Sequence, residues 1–150
     1  MSDLKQLLFQ QCLNFVQNRI NNAGQAIQSA QQASNDDTKS SAGDKYETSR
    51  EMMQQETNRN MAQLTEANKL LVALNRISIN GLTTHAEAGS VVITNDGRFF
   101  LAISAGSIVV NDETYFAVSP ASPIGLKLKG QKAGNEFTLN GKKYTVKEVI

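Results

Sequence analysis

The chain has 150 residues, and 15 Lys and Arg stand against 14 Asp and Glu, a formal net charge of +1. That balance gives no bulk charge to draw the molecule onto nucleic acid or an anionic membrane, so any electrostatic function is local. A single cysteine, Cys12, excludes an internal disulfide and a cysteine-cluster zinc site.

From Asp3 to about Ala33 no proline interrupts a run of Gln, Leu, Ala and Asn. Asp3 suits a first helical turn, where a carboxylate complements the dipole. Phe9, Leu13, Val16, Ile20, Ala23, Ile27 and Ala30 recur in alternating steps of four and three, a heptad seam. Gly24 inside it is tolerable in a helix held by packing, and Cys12 reads as a small helix-face residue.

Next comes Ser34–Glu47, SNDDTKSSAGDKYE, whose short polar residues and glycine predict a tight turn. It concentrates Asp36, Asp37, Asp44 and Glu47, whose mutual repulsion would cost a purely structural turn stability. A second helix is predicted from Asp44 to about Ile77, with a weaker seam at Tyr46, Met53, Thr57, Leu64, Ala67, Leu71 and Leu74. A short connection makes an antiparallel hairpin the natural packing, least stable at its tip, where apolar residues thin out.

After a junction at Ser78–Gly81 the pattern changes to strands. Three pairs flank turn signals: Val91–Thr94 with Arg98–Ile103 around Asn95-Asp96-Gly97, Ile108–Val110 with Thr114–Val118 around Asn111-Asp112-Glu113, and Phe137–Leu139 with Lys142–Val149 around Asn140-Gly141. Asn-Gly and Asp-Gly supply the positive φ that tight hairpins require. Ser122-Pro123 predicts the start of a short helix running to Leu128. The expected fold class is therefore α+β: a helical hairpin over 1–78, then an antiparallel-sheet domain with one short helix over 79–150.

The remaining chemistry is sparse. His85 has no metal-ligand partners at suitable spacing and reads as a surface residue. Lys127, Lys129, Lys132, Lys142, Lys143 and Lys147 make a modest basic face, and Phe99, Phe100, Tyr115, Phe116, Phe137 and Tyr144 are assigned to the core. No apolar run approaches bilayer length and no secretory signal precedes the first helix, so a soluble, cytoplasmic protein with no membrane partner is expected.

Ser122-Pro123-Ile124-Gly125, then Leu128, Gly130, Lys132, Gly134, Glu136 and Phe137, resembles the C-terminal signature of bacterial Gre-type transcript-cleavage factors. At the other end, Gly43-Asp44-Lys45-Tyr46-Glu47 is similar to the Gly-Asp…Glu tip motif of that family. The chain departs from the family pattern at Lys127, Lys129 and Asn135, and the family's N-terminal Thr-Gly-Leu pattern is absent from the first helix. The resemblance implies an FKBP-like C-terminal domain and a coiled coil that enters the secondary channel of RNA polymerase. It implies that Asp44 and Glu47 are the functional acids, Asp44 as ligand to a shared Mg²⁺ and Glu47 as orienter of water. Asp36 and Asp37 are alternative tip acids, with a second register placing Asp37 and Ser40 in the motif.

On the same resemblance, Ser122, Pro123, Ile124 and Gly125 dock the polymerase, nascent RNA is met only within that complex, and no small molecule is a substrate. The chain is expected to bind no cofactor alone and to be no enzyme by itself, Mg²⁺ being supplied in the polymerase active site. A non-cleaving channel regulator, a coiled-coil adaptor and a prolyl isomerase remain alternatives.

Overall fold

The computed structural model describes residues 2–37, 43–79 and 84–150, with side chains over 3–32, 51–79 and 84–150. Two long helices come first, α1 (Ser2–Asp37, 36 residues) and α2 (Gly43–Asn75, 33 residues), and they pack together. Six strands follow: β1 (Val91–Thr94), β2 (Gly97–Leu101), β3 (Gly106–Val110), β4 (Glu113–Val118), β5 (Glu136–Leu139) and β6 (Lys142–Val149). A short helix, α3 (Pro123–Leu128), stands between β4 and β5. The layout is α+β.

Helix runs further into the acidic stretch than its composition predicts. Ser34–Asp37 still belong to α1, and Gly43–Glu47 already belong to α2. Ser, Asn and Asp are weak helix formers rather than breakers, so a long helix carries them at its end. Residues 38–42, including Ser40, lie outside the described residues, as do Asn80 and Gly81 of the predicted junction.

Two compact units divide the chain. One is Val16–Leu71, the body of the two helices; the other joins Met1–Phe15 to Val72–Ile150. In the first, Val16, Ala23 and Ala30 of α1 are buried at heptad spacing, as are Asn60 and Ala67 of α2. Ile20, Ile27, Met53, Thr57, Leu64 and Leu71 are half-buried beside them. Asn60 fills the gap that the sequence seam left between Thr57 and Leu64.

The predicted seam does not hold at the start of α1. Leu8 and Cys12 are fully buried, whereas Phe9 and Leu13 are only half-buried. These residues share a compact unit with the sheet, so the buried stripe there is not set by a partner helix alone.

The strands are ordered β3-β4-β2-β1-β6-β5. Every neighbouring pair is antiparallel except β2 and β4, which run parallel with Phe99 opposite Phe116. That departs from the all-antiparallel expectation for a topological reason: the chain leaves β2 for the outer edge, forms β3 there, and returns as β4 between the two. The hairpins obey their turn residues. Asn111 and Asp112 both take positive φ (54° and 64°), as do Asn140 and Gly141 (53° and 78°), the requirement of two-residue turns that match strand twist. Glu113, expected in a turn, instead pairs with Val110 as the first residue of β4.

Both sheet faces are apolar. One carries Val92, Phe99, Leu101, Phe137 and Val146, packed with Leu128 of α3 and with Ala86, while Ile124, Val118, Tyr144 and Val149 close its margin. Phe137 stacks on Tyr144 with centroids 5.1 Å apart, and Phe99 meets the Tyr144 edge at 6.2 Å. Alternation and register put Val91, Phe100, Ala117, Tyr115, Ile108 and Val110 on the other face, all buried. Phe116, assigned to the core from sequence, is 42% exposed, although β4 lies inside the sheet between β3 and β2.

Candidate functional site

Two regions carry the residues singled out by sequence. The first is the far end of the helical pair. Asp36 and Asp37 are the last two residues of α1, and Asp44 and Glu47 are the second and fifth residues of α2. Their side chains lie outside the described residues, so the backbone alone places them.

That placement is informative. Carboxylates in the opening turn of α2 complement its dipole, but the closing turn of α1 carries acids where a helix prefers cations, with no basic residue within that turn. Folding alone does not favour Asp36 and Asp37 there. Asp44 and Glu47 stand three apart near a helix start, a spacing that puts both on one face. Their donor chemistry, hard carboxylate oxygen, fits Mg²⁺, which takes one or two protein carboxylates and completes its shell from other molecules. Among the described residues no group of three His, Cys, Asp or Glu is placed to hold a metal ion. His85 is exposed, and its Nδ1 lies 3.0 Å from Thr84 Oγ1.

The second region, Ser119 to Leu128, is built in detail. Ser122 is the N-cap of α3, with φ −71° and ψ 160°, and Pro123 follows at the position where a missing N–H is harmless. The Gly125 N–H donates to Ser122 Oγ at 3.1 Å, and Ser122 Oγ donates to the Ser119 carbonyl at 2.6 Å. The Ser122 N–H also reaches the Ser119 carbonyl at 3.0 Å, and Ser119 Oγ accepts from the Ala121 N–H at 3.1 Å. Each polar group of this Ser-Pro repeat serves the next. Gly125 is buried directly under the turn; a β-carbon there would lie 2.0 Å from the Ser119 oxygen and 2.9 Å from Pro120 Cα.

The result is a rigid knob with a divided role. Ile124 and Leu128 face the core, while Pro123 and Leu126 are exposed, Leu126 at 65%. Lys127 and Lys129 are exposed beside them. Of the other predicted lysines, Lys142 pairs with Asp96 and Lys143 with Glu136, so part of the basic face is neutralised. The hydrogen bond and charge of Asp96 raise the Lys142 pKa.

Two features near the sheet were not legible in the sequence. Lys5, in the second turn of α1, is buried; burial lowers its pKa, and the Glu87 carboxylate opposes that shift. Gly89, at φ +94°, lies against the segment leaving α2, where a β-carbon would meet the Ser78 oxygen at 2.2 Å, and its N–H donates to the Leu101 carbonyl at 2.6 Å. A lysine on an amphipathic helix reads as solvated, so only a long-range partner such as Glu87 reveals the exception.

No helix among the described residues is long and apolar enough to cross a membrane. No family model, curated protein or solved structure matches the chain.

Proposed function

We propose that this chain is an RNA polymerase-binding regulator of transcription elongation, working in the cytoplasm, whose two-helix arm enters the polymerase's secondary channel. The observation that carries the reading is the Gly43-Asp44-Lys45-Tyr46-Glu47 motif opening α2, in a helical pair whose other helix, α1, ends on Asp36-Asp37. The capped Ser122-Pro123-Ile124-Gly125 knob supports it as the docking element, because its exposed Pro123 and Leu126 are held on a stiff base. A rigid apolar patch loses little entropy when a partner covers it.

In this reading the chain is no enzyme by itself. Asp44 offers a metal ligand and Glu47 orients water, both at the polymerase's own Mg²⁺ site. When bound there, Mg²⁺ supplies charge stabilisation for phosphodiester hydrolysis of backtracked RNA. The residues of this chain position the carboxylates and exclude bulk water by filling the channel. The test is RNA cleavage in purified stalled elongation complexes, with wild type, Asp44→Asn and Glu47→Gln. Stimulated cleavage lost in the variants with retained polymerase binding supports the reading; equal loss of both makes the tip a docking element.

A non-cleaving regulator of the same channel is favoured by Lys127, Lys129 and Asn135, which stand where the resembling family has other residues. Co-purification with polymerase, competed by a known secondary-channel binder but without stimulated cleavage, selects that version. Failure to co-purify at all leaves the coiled-coil adaptor.

A further inference from the structure

Strand β3 forms one edge of the sheet and β5 the other. The two edges are guarded differently. β5 carries Glu136, paired with Lys143 at 3.0 Å, and α3 packs beside it. Charge and a covering helix are common guards of a sheet edge. β3 reads Gly106-Ser107-Ile108-Val109-Val110, with neither charge nor proline, and its Ser107 and Val109 are exposed.

The turn after β3 fixes which of its backbone groups look outward. Asn111 and Asp112 both have positive φ, so Val110 and Glu113 close the hairpin as a hydrogen-bonded pair. Bonded and free pairs alternate along an antiparallel ladder, which turns Ile108 and Gly106 towards β4 as well. The N–H and C=O of Ser107 and Val109 therefore point away from the sheet, and no backbone group among the described residues takes them up.

This pattern is complementary to itself. Two copies of β3 laid antiparallel about Ile108 set Ser107 of each opposite Val109 of the other, so every outward N–H meets an outward C=O. The side chains agree with that register. Ser107 and Val109 share a face with their β4 neighbours Phe116 and Thr114. Val109, 63% exposed, and Phe116 are the large apolar side chains that the strands leave uncovered. In the pair, Val109 of one copy lies beside Ser107 of the other, and that small serine lets the neighbouring Phe116 ring close over it. Charge does not oppose the approach. Asp112 comes opposite the uncharged segment 103–105 of the other copy, and Glu113, one strand further in, is held by Arg98 at 3.5 Å.

We propose that β3 is a homodimer edge, through which two copies join their sheets by an antiparallel β3–β3 pair across a two-fold axis at Ile108. A strand of 5 residues buries less than a standard interface, so the association is weak and concentration-dependent. The inference concerns the sheet unit alone and stands whatever the helical arm does.

The experiment is sedimentation of the full chain from about 5 µM to about 1 mM, paired with amide-resolved hydrogen exchange at both ends of that range. A shift from monomer to dimer is expected, with the Ser107 and Val109 amides slowing at least about fivefold at the higher concentration. The amides of Ile108 and Val110, already bonded to β4, are expected to change less than about twofold. Val109→Pro removes an outward N–H that is not part of the β4 ladder. It is expected to weaken dimerisation at least about tenfold. Val109→Lys keeps the backbone and adds a guarding charge; it is expected to weaken dimerisation comparably, and it keeps the test decisive if the proline variant fails to fold. A chain that stays monomeric throughout leaves the edge to an extended segment of another protein and overturns the proposal. So does a dimer whose Ser107 and Val109 amides stay unprotected, or one that folded Val109→Pro or Val109→Lys leaves as tight, because it forms through another surface.

Discussion

Gly125 lies so close beneath Ser119 that a β-carbon at position 125 would stand 2.0 Å from the Ser119 carbonyl oxygen. The obstacle is backbone, held in turn by the Ser122 hydroxyl and N–H, so it cannot rotate away as a side chain would. Gly125→Ala is expected to destabilise the sheet unit by about 3 kcal/mol, seen as a Tm lower by roughly 12 to 24 °C. Ser122→Ala, which removes the N-cap acceptor of the Gly125 N–H, is expected to cost about 1 kcal/mol. An unchanged Tm in Gly125→Ala would mean that the Ser119–Gly125 approach is not maintained in solution.

Lys5 makes a pH prediction. Its folded-state pKa is lowered below the ordinary 10.5 by burial, with Glu87 partly offsetting the shift. Between the folded pKa and 10.5 the unfolded chain binds more protons at this site, so its contribution to stability rises with pH and levels off above 10.5. Wild type is therefore expected to gain stability relative to Lys5→Met as pH climbs towards 10.5, in urea titrations at a series of pH values. A constant difference would show that Lys5 keeps its charge in water when folded.

Cys12 is expected to be inert in the native chain. It is fully buried, and burial pushes its thiol up to about 12, so little thiolate exists at neutral pH. A thiol-reactive chromogen at pH 8 should leave it unmodified over minutes and react fully in denaturant. Rapid native labelling would show that the base of α1 opens readily.

If the proposed function holds, Asp44→Asn at the tip is expected to lower stimulated RNA cleavage by at least about tenfold, the scale of a lost metal ligand contact. On the proposed reading, polymerase affinity is expected to stay within about threefold, because the exposed Pro123 and Leu126 surface proposed to dock is untouched. Binding by competition and cleavage by gel separate the two quantities.

The hairpin turns were legible because they are local: positive φ at Asn111, Asp112, Asn140 and Gly141 is a demand that two or three adjacent residues state by themselves. The same holds for α3, whose Ser122 cap and Pro123 start need nothing beyond their neighbours. Both long helices and the α+β layout followed from uninterrupted periodicity, and the four acids of the predicted turn are found on helix ends because nothing there breaks a helix.

What only the tertiary structure decided is whatever depends on a distant partner. Period-two alternation says that Phe99 and Phe116 sit in strands; only the return of β4 beside β2 sets them side by side, in parallel. A heptad count favours Phe9 and Leu13, but membership of the sheet unit buries Leu8, Cys12 and Lys5 instead. Asn60, polar and so left out of the seam by sequence, is enclosed because helix packing buries a position rather than a residue type.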